Sequence, residues 1–94
     1  SKTSHLAHLV CELFVRLQVV QRTNGMSFHL PLSQAELADV LGLSVVHMNR
    51  VIGALRKVGV VNWANHTVTI LDWHRLQEIA EFDPTYLSMM REPR

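Results

Sequence analysis

Apolar residues recur at three- and four-residue steps through residues 3–22: Leu6, Leu9, Val10, Leu13, Phe14 and Leu17. That period lays a stripe along one side of a helix. Asn24-Gly25 reads as the stop, because glycine takes a left-handed backbone without a Cβ clash. The pattern then changes. Ser27-Phe28-His29-Leu30 alternates polar and apolar, which fits a brief strand ended by Pro31.

A second helix is predicted from Ser33. Ser33 and Glu36 have the spacing of a capping box, and Leu32 and Leu37 that of a hydrophobic staple. Leu37, Ala38 and Leu41 face inward, and Gly42 closes the helix. Ser44 caps a third helix running to Val58, with Leu43 and Met48 as its staple and His47 where a box would place an acid. Met48, Val51, Ile52 and Leu55 form its inward stripe. At about 100° per residue the opposite stripe is Val46, Arg50, Gly53 and Lys57, flanked by His47 and Asn49. That outer face is unusual for one that meets only solvent. Val46 points away from the core, and a mid-helix glycine costs about 1 kcal/mol relative to alanine.

Val60–Trp63 and Thr67–Ile70 read as two β-branched strands around Ala64-Asn65-His66, with Asn65 as the left-handed turn residue. Asp72 caps a last helix of about eight residues that includes Leu76, Ile79 and Ala80. Pro84 opens a further turn or short helix near Tyr86, and Arg91–Arg94 reads as a loose end.

The order helix, short strand, helix, turn, helix, hairpin is that of a winged helix-turn-helix. The predicted class is mainly α with a small antiparallel β-hairpin or sheet. Residues 1–94 are expected to form a single such domain, with the helix-turn-helix core at 33–58 and the wing at 60–70. The chain of 94 residues is 48% hydrophobic and 18% charged, so a packed core is expected rather than disorder. Its single cysteine, Cys11, excludes an internal disulfide. The apolar runs fall far short of the roughly 20 residues of a membrane span, and a reducing cytoplasm is the expected setting. His5, His8 and Cys11 lie one turn apart. They lack the paired spacing of a zinc site and read as surface histidines and a small buried thiol. The formal charge is only +1. Residues 1–70 are net basic and residues 71–94 net acidic, so a lone copy is expected to hold nucleic acid weakly.

In such a fold the second helix of the pair enters the major groove, and base contacts are expected from Val45, Val46, His47, Asn49 and Arg50. Arg50 can donate to O6 and N7 of a guanine, Asn49 and His47 can meet base edges, and the valines can pack on a thymine methyl. Gly53 lets the helix backbone approach. Phosphate contacts are expected from Ser33 and Ser44 at helix N-termini, from Lys57, and from His66 at the wing tip. Each has a plainer alternative: a solvated arginine, a helix-end lysine favoured by the dipole, a surface histidine. Trp63 is expected to pack within the hairpin. No serine–histidine–acid set, phosphate loop or paired metal ligands emerges, so an enzyme is not expected.

Leu32–Ile70 resembles the C-terminal DNA-binding domain of the Crp/Fnr family of bacterial transcription regulators. The resemblance is carried by Leu32-Ser33-Gln34-Ala35-Glu36-Leu37-Ala38, Leu41-Gly42-Leu43-Ser44, Asn49-Arg50-Val51, Leu55 and Gly59-Val60-Val61. The segment Ser4–Val20 resembles the helix that opens that domain, and Asp83-Pro84-Thr85-Tyr86-Leu87 resembles the tail of one subgroup. The resemblance implies that Arg50 is the base-reading arginine and that Ser33 and Ser44 touch phosphate. It departs at Val45-Val46, where the best-known members carry Arg-Glu or Val-Glu, so the cytosine contact of that acid is lost. It further implies double-stranded DNA with a two-fold symmetric site as partner and RNA polymerase as a further candidate. A homodimer belongs to a full-length protein, and this chain alone is expected as a monomer. Cofactors are expected to be none in this chain. The family's cyclic nucleotides, haem or iron–sulfur clusters would belong to an N-terminal sensor domain that residues 1–94 do not supply. The alternative from another class is a winged helix that serves protein–protein interaction, which the near-neutral charge and acidic tail favour mildly.

Overall fold

The computed structural model describes residues 1–83, and the expected turn near Tyr86, the Pro84–Leu87 part of the tail and the end at Arg91–Arg94 lie outside the described residues. The elements run α1 (Lys2–Val19), β1 (Thr23–Asn24), β2 (Ser27–His29), α2 (Gln34–Leu41), α3 (Val45–Lys57), β3 (Val61–Ala64), β4 (Thr67–Ile70) and α4 (Trp73–Ala80).

α1 is three residues shorter at its C-terminus than the apolar period suggests. It ends without a glycine: Val20 caps it and Gln21 takes the positive φ of 58°. Asn24-Gly25 is therefore not the helix stop. Asn24 ends β1, and Gly25, at φ 62°, turns the chain into β2. A left-handed residue serves a helix end and a hairpin equally well, so the dipeptide alone cannot distinguish them.

The brief strand and the wing form one sheet, in the order β1-β2-β4-β3, all antiparallel. Ser27 pairs with Thr69, Phe28 with Val68 and His29 with Thr67. The Ser27 and Thr69 hydroxyls share a 2.7 Å hydrogen bond across that register. β3 begins one residue later than predicted and takes in Ala64, which leaves a two-residue turn, Asn65-His66. Both residues are left-handed, at φ 52° and 65°. This is the backbone hand that suits the twist of a two-residue hairpin.

One buried cluster joins all four helices and the sheet. Phe14, Leu6, Leu37, Met48, Leu55 and Leu76 are its largest fully enclosed side chains. Of the α1 stripe, Leu6, Val10 and Phe14 are buried as expected, while Leu9, Leu13 and Leu17 are only partly so. Ala7 and Cys11 are buried in addition. α1 packs against α2, α3 and α4, so its small side chains fill positions of close approach. Trp63 is buried, as expected of a hairpin anchor. Phe14 and Trp73 pack with ring centroids 5.3 Å apart, which ties α1 to α4. Lys2 Nζ donates to the Leu41 carbonyl at 3.3 Å, so the start of α1 is fastened to the end of α2.

Candidate nucleic-acid interface

The helix-turn-helix is built from two capped helices and one left-handed glycine. The Ser33 Oγ accepts from the Glu36 backbone N–H at 3.1 Å, and the Ser33 N–H donates to the Glu36 carboxylate at 2.8 Å. Two otherwise orphaned N–H groups are thereby satisfied. Gly42, at φ 71°, ends α2. The Leu43 N–H donates to the Ala38 carbonyl at 2.8 Å, which closes the turn. α2 and α3 then diverge by 95°, an angle typical of a helix-turn-helix. Ser44 caps α3 through its Oγ, which accepts from the His47 N–H at 3.1 Å.

α3 divides as the pattern predicts. Met48, Val51, Ile52 and Leu55 are buried. Val45, Val46, His47, Asn49, Arg50, Gly53 and Lys57 are all exposed. Val46 is 64% exposed and Val45 45%, so two β-branched residues stand in solvent at the start of the helix. Among the described residues a Cβ placed on Gly53 would meet nothing within 4 Å, so no contact with them requires a glycine there. α3 carries Arg50, Arg56 and Lys57 and no acid. Its first turn therefore holds no carboxylate of its own to offset the positive end of the helix dipole. α2 differs, since Glu36 sits in its first turn.

The proposed phosphate residues fall into separate places. Ser44 adjoins the residues expected to meet bases, at the start of α3. Lys57 is the last residue of α3, on the same stripe but about 10 Å beyond Arg50 along the axis. It lines an open groove with Gly53, Arg56, Val61, Asn62 and Leu71. Ser33 and His66 come together at a third point, through Glu36. The Glu36 carboxyl is held below its ordinary value by the Ser33 backbone N–H first, then by the Ser33 hydroxyl. Partial desolvation opposes this, and the charge of His66 adds to the lowering. His29, which the sequence pattern did not single out, stands here too, with its ring centroid 6.1 Å from that of His66. Its sequence carries only the outward polar position of a short strand, and the pairing of β2 with β4 is what brings it beside the wing turn.

His5, His8 and Cys11 do not form a metal set. Among the described residues no group of three or more histidine, cysteine or acidic side chains could hold a metal ion. Cys11 is buried, and burial pushes its thiol up to about 12. His8 instead packs edge-on against Phe82 at 5.1 Å. Among the described residues no single helix is long and apolar enough to cross a membrane.

A Crp-like helix-turn-helix domain family matches residues 4–79. The chain belongs to that family. The Crp/Fnr resemblance of Leu32–Ile70 thus extends over nearly all of it, and the family is one of DNA-binding transcription regulators. The transcriptional activator protein FnrL of Cereibacter sphaeroides is 31% identical over 83 residues, covering 87% of this chain and 34% of that protein. A probable transcriptional activator of Rhizobium leguminosarum bv. viciae is 44% identical over 45 residues, 48% of this chain and 19% of that one. Among solved structures, the Thermus thermophilus catabolite activator protein is 28% identical with a TM-score of 0.54, covering 84% of this chain and 35% of that one. Reduced CprK without ligand aligns with a TM-score of 0.60 at 20% identity, covering 84% of this chain and 38% of that one, and shares the fold. This Crp-like chain spans between about a fifth and two fifths of the length of these relatives.

Proposed function

We propose that this chain is the output domain of a Crp/Fnr-type transcription regulator and that α3 reads DNA sequence from the major groove. The observation that carries the reading is the exposed face of α3. It combines two exposed valines, Asn49, Arg50 and an unforced Gly53 with no acid, on a helix whose other side is fully engaged in the core. A helix about 10–12 Å across fits a groove about 12 Å wide.

Arg50 donates to guanine O6 and N7. Asn49 and His47 meet neighbouring base edges. Val45 and Val46 pack on thymine methyls, in place of an acid that would select cytosine. Ser33 and Ser44 each use the hydroxyl oxygen as an acceptor for the cap. The Ser44 hydroxyl proton therefore remains to donate to a phosphate oxygen, whereas the Ser33 hydroxyl would have to turn from the Glu36 carboxylate to do so. Lys57 and His66 add backbone contacts at the two flanks. Two copies, brought together within a longer protein, would read a two-fold symmetric site and present a surface to RNA polymerase. No residue described here is assigned a cofactor or a catalytic step.

The test is selection of bound duplexes from a random pool by two copies joined by a flexible tether. Enrichment of a two-fold symmetric motif supports the reading. Recovery of the pool without enrichment, or no retention of duplex, would sink it and leave a protein-interaction module as the better description.

A further inference from the structure

The corner where the wing meets the start of α2 carries more ionisable groups than a structural turn needs. Three elements supply them: His29 at the end of β2, His66 in the β3–β4 turn, and Glu36 in the first turn of α2, with Asp39 one turn further along. The backbone fixes the two histidines together. His29 pairs with Thr67 in the sheet. The Leu30 N–H donates to the His66 carbonyl at 2.7 Å. Their ring centroids lie 6.1 Å apart, both side chains are exposed, and the charge of His66 reaches Glu36.

His66 is also an expensive choice for its place. It takes φ 65° in the second position of a two-residue turn, where glycine would be free of strain. A left-handed non-glycine residue costs on the order of 1 kcal/mol or more, and such strain tends to collect where a side chain has a task.

We infer that His29 and His66 form a clip for a phosphodiester of the DNA backbone, and that the clip tightens when the two imidazoles are protonated. The inference rests on the reading that this face of the protein meets DNA. With both rings neutral, the cluster of His29, His66 and Glu36 carries one negative charge and repels phosphate. With both protonated those three groups sum to one positive charge, which Asp39 a turn further along offsets at longer range, and two charged N–H groups stand close enough to share one phosphate. Histidine ordinarily makes this change between pH 5 and 8. Charge-assisted hydrogen bonds are about twice as strong as neutral ones. Glu36 remains a carboxylate throughout that range, because Ser33 holds it ionised.

The experiment is fluorescence anisotropy with a labelled duplex, at about pH 6 and pH 8 and over a range of salt. The wild-type chain is expected to bind about three- to ten-fold tighter at the lower pH. Its salt slope should steepen by about 0.9 for each further phosphate neutralised. The double variant His29→Gln/His66→Gln keeps neutral N–H donors and should bind with little pH dependence, while His74→Gln, on α4 and with no part in the interface, should retain the wild-type pH response. Circular dichroism at both pH values checks that each variant is folded. Binding that is equally tight at both pH values overturns the clip but leaves the DNA-binding reading standing. So does a double variant with the full pH response, which would move the effect to another histidine. No binding to any duplex at either pH would overturn both.

Discussion

At the scale of single residues, α3 keeps the face proposed to read DNA apart from the face that supports the fold. Arg50 is exposed and the core lies on the other side of its helix, so its removal should leave the fold intact. Arg50→Ala is expected to cost about 1–3 kcal/mol of discrimination between selected and random duplex, with an unchanged melting temperature. Competition binding with both duplexes measures it, and undiminished discrimination would refute the role given to Arg50. Gly53 offers the opposite test. The space around it is open, so Gly53→Ala should raise stability by about 0.4–1 kcal/mol and still weaken binding to DNA. A variant that is both more stable and equally tight would show that the glycine is not there for close approach. Cys11 supplies a third measurement. Its thiol is raised to about 12 by burial, so it is protonated and shielded at neutral pH. Alkylation of the native chain should be slow, and should accelerate with denaturant in step with unfolding.

Among the elements, α2 shows how a cap writes itself into stability and into pH dependence. Ser33→Ala removes the acceptor for the Glu36 N–H and should cost about 1 kcal/mol, a fall in melting temperature of roughly 4–8 °C for a domain of this size. Glu36 has its carboxyl lowered from an ordinary value of 4.5. A lowered carboxyl favours the folded state above the unfolded value, and that contribution is lost as pH falls through the folded one. Thermal melts of the wild type should therefore lose more stability below about pH 4.5 than melts of Glu36→Gln, and equal losses would contradict the assignment. These same local signals made α2 and α3 legible in the sequence. Ser33, Glu36, Gly42 and Ser44 each act within a few residues, so both helices and all four buried positions of α3 follow from the pattern. What was not legible depends on distant partners. β1 is a two-residue strand that exists through its pairing with β2, so Asn24-Gly25 looked like a helix stop. The burial of Ala7 and Cys11 depends on helices that arrive later in the chain. His29 became a candidate only when β2 was found beside β4. The exposed face of α3 was visible in advance because helical geometry alone decides it, whereas the corner at His29, Glu36 and His66 is a tertiary product.

For the whole molecule, small net charge and a single reading helix point to weak binding by one copy. Joining two copies should tighten binding to a symmetric site by on the order of 10²–10⁴-fold, provided the tether lets both engage. The gain should vanish on a duplex with one half-site scrambled, and titrations on the two duplexes test this directly. Affinity of either form should fall with added salt, because cations such as Arg56 and Lys57, if they meet phosphate as proposed, would displace counterions from it. The sheet bears on how such measurements will behave. Its outer strands are β1, of two residues, and β3, of four. Edges that short offer a poor template for another chain to add a strand. Copies of this domain should therefore resist edge-to-edge aggregation even when concentrated, with light scattering that stays flat as the protein is raised well above its binding constant. Any pairing of two copies would then have to come from side-chain surfaces outside the sheet, which leaves the wing free to lie along DNA in an assembled regulator.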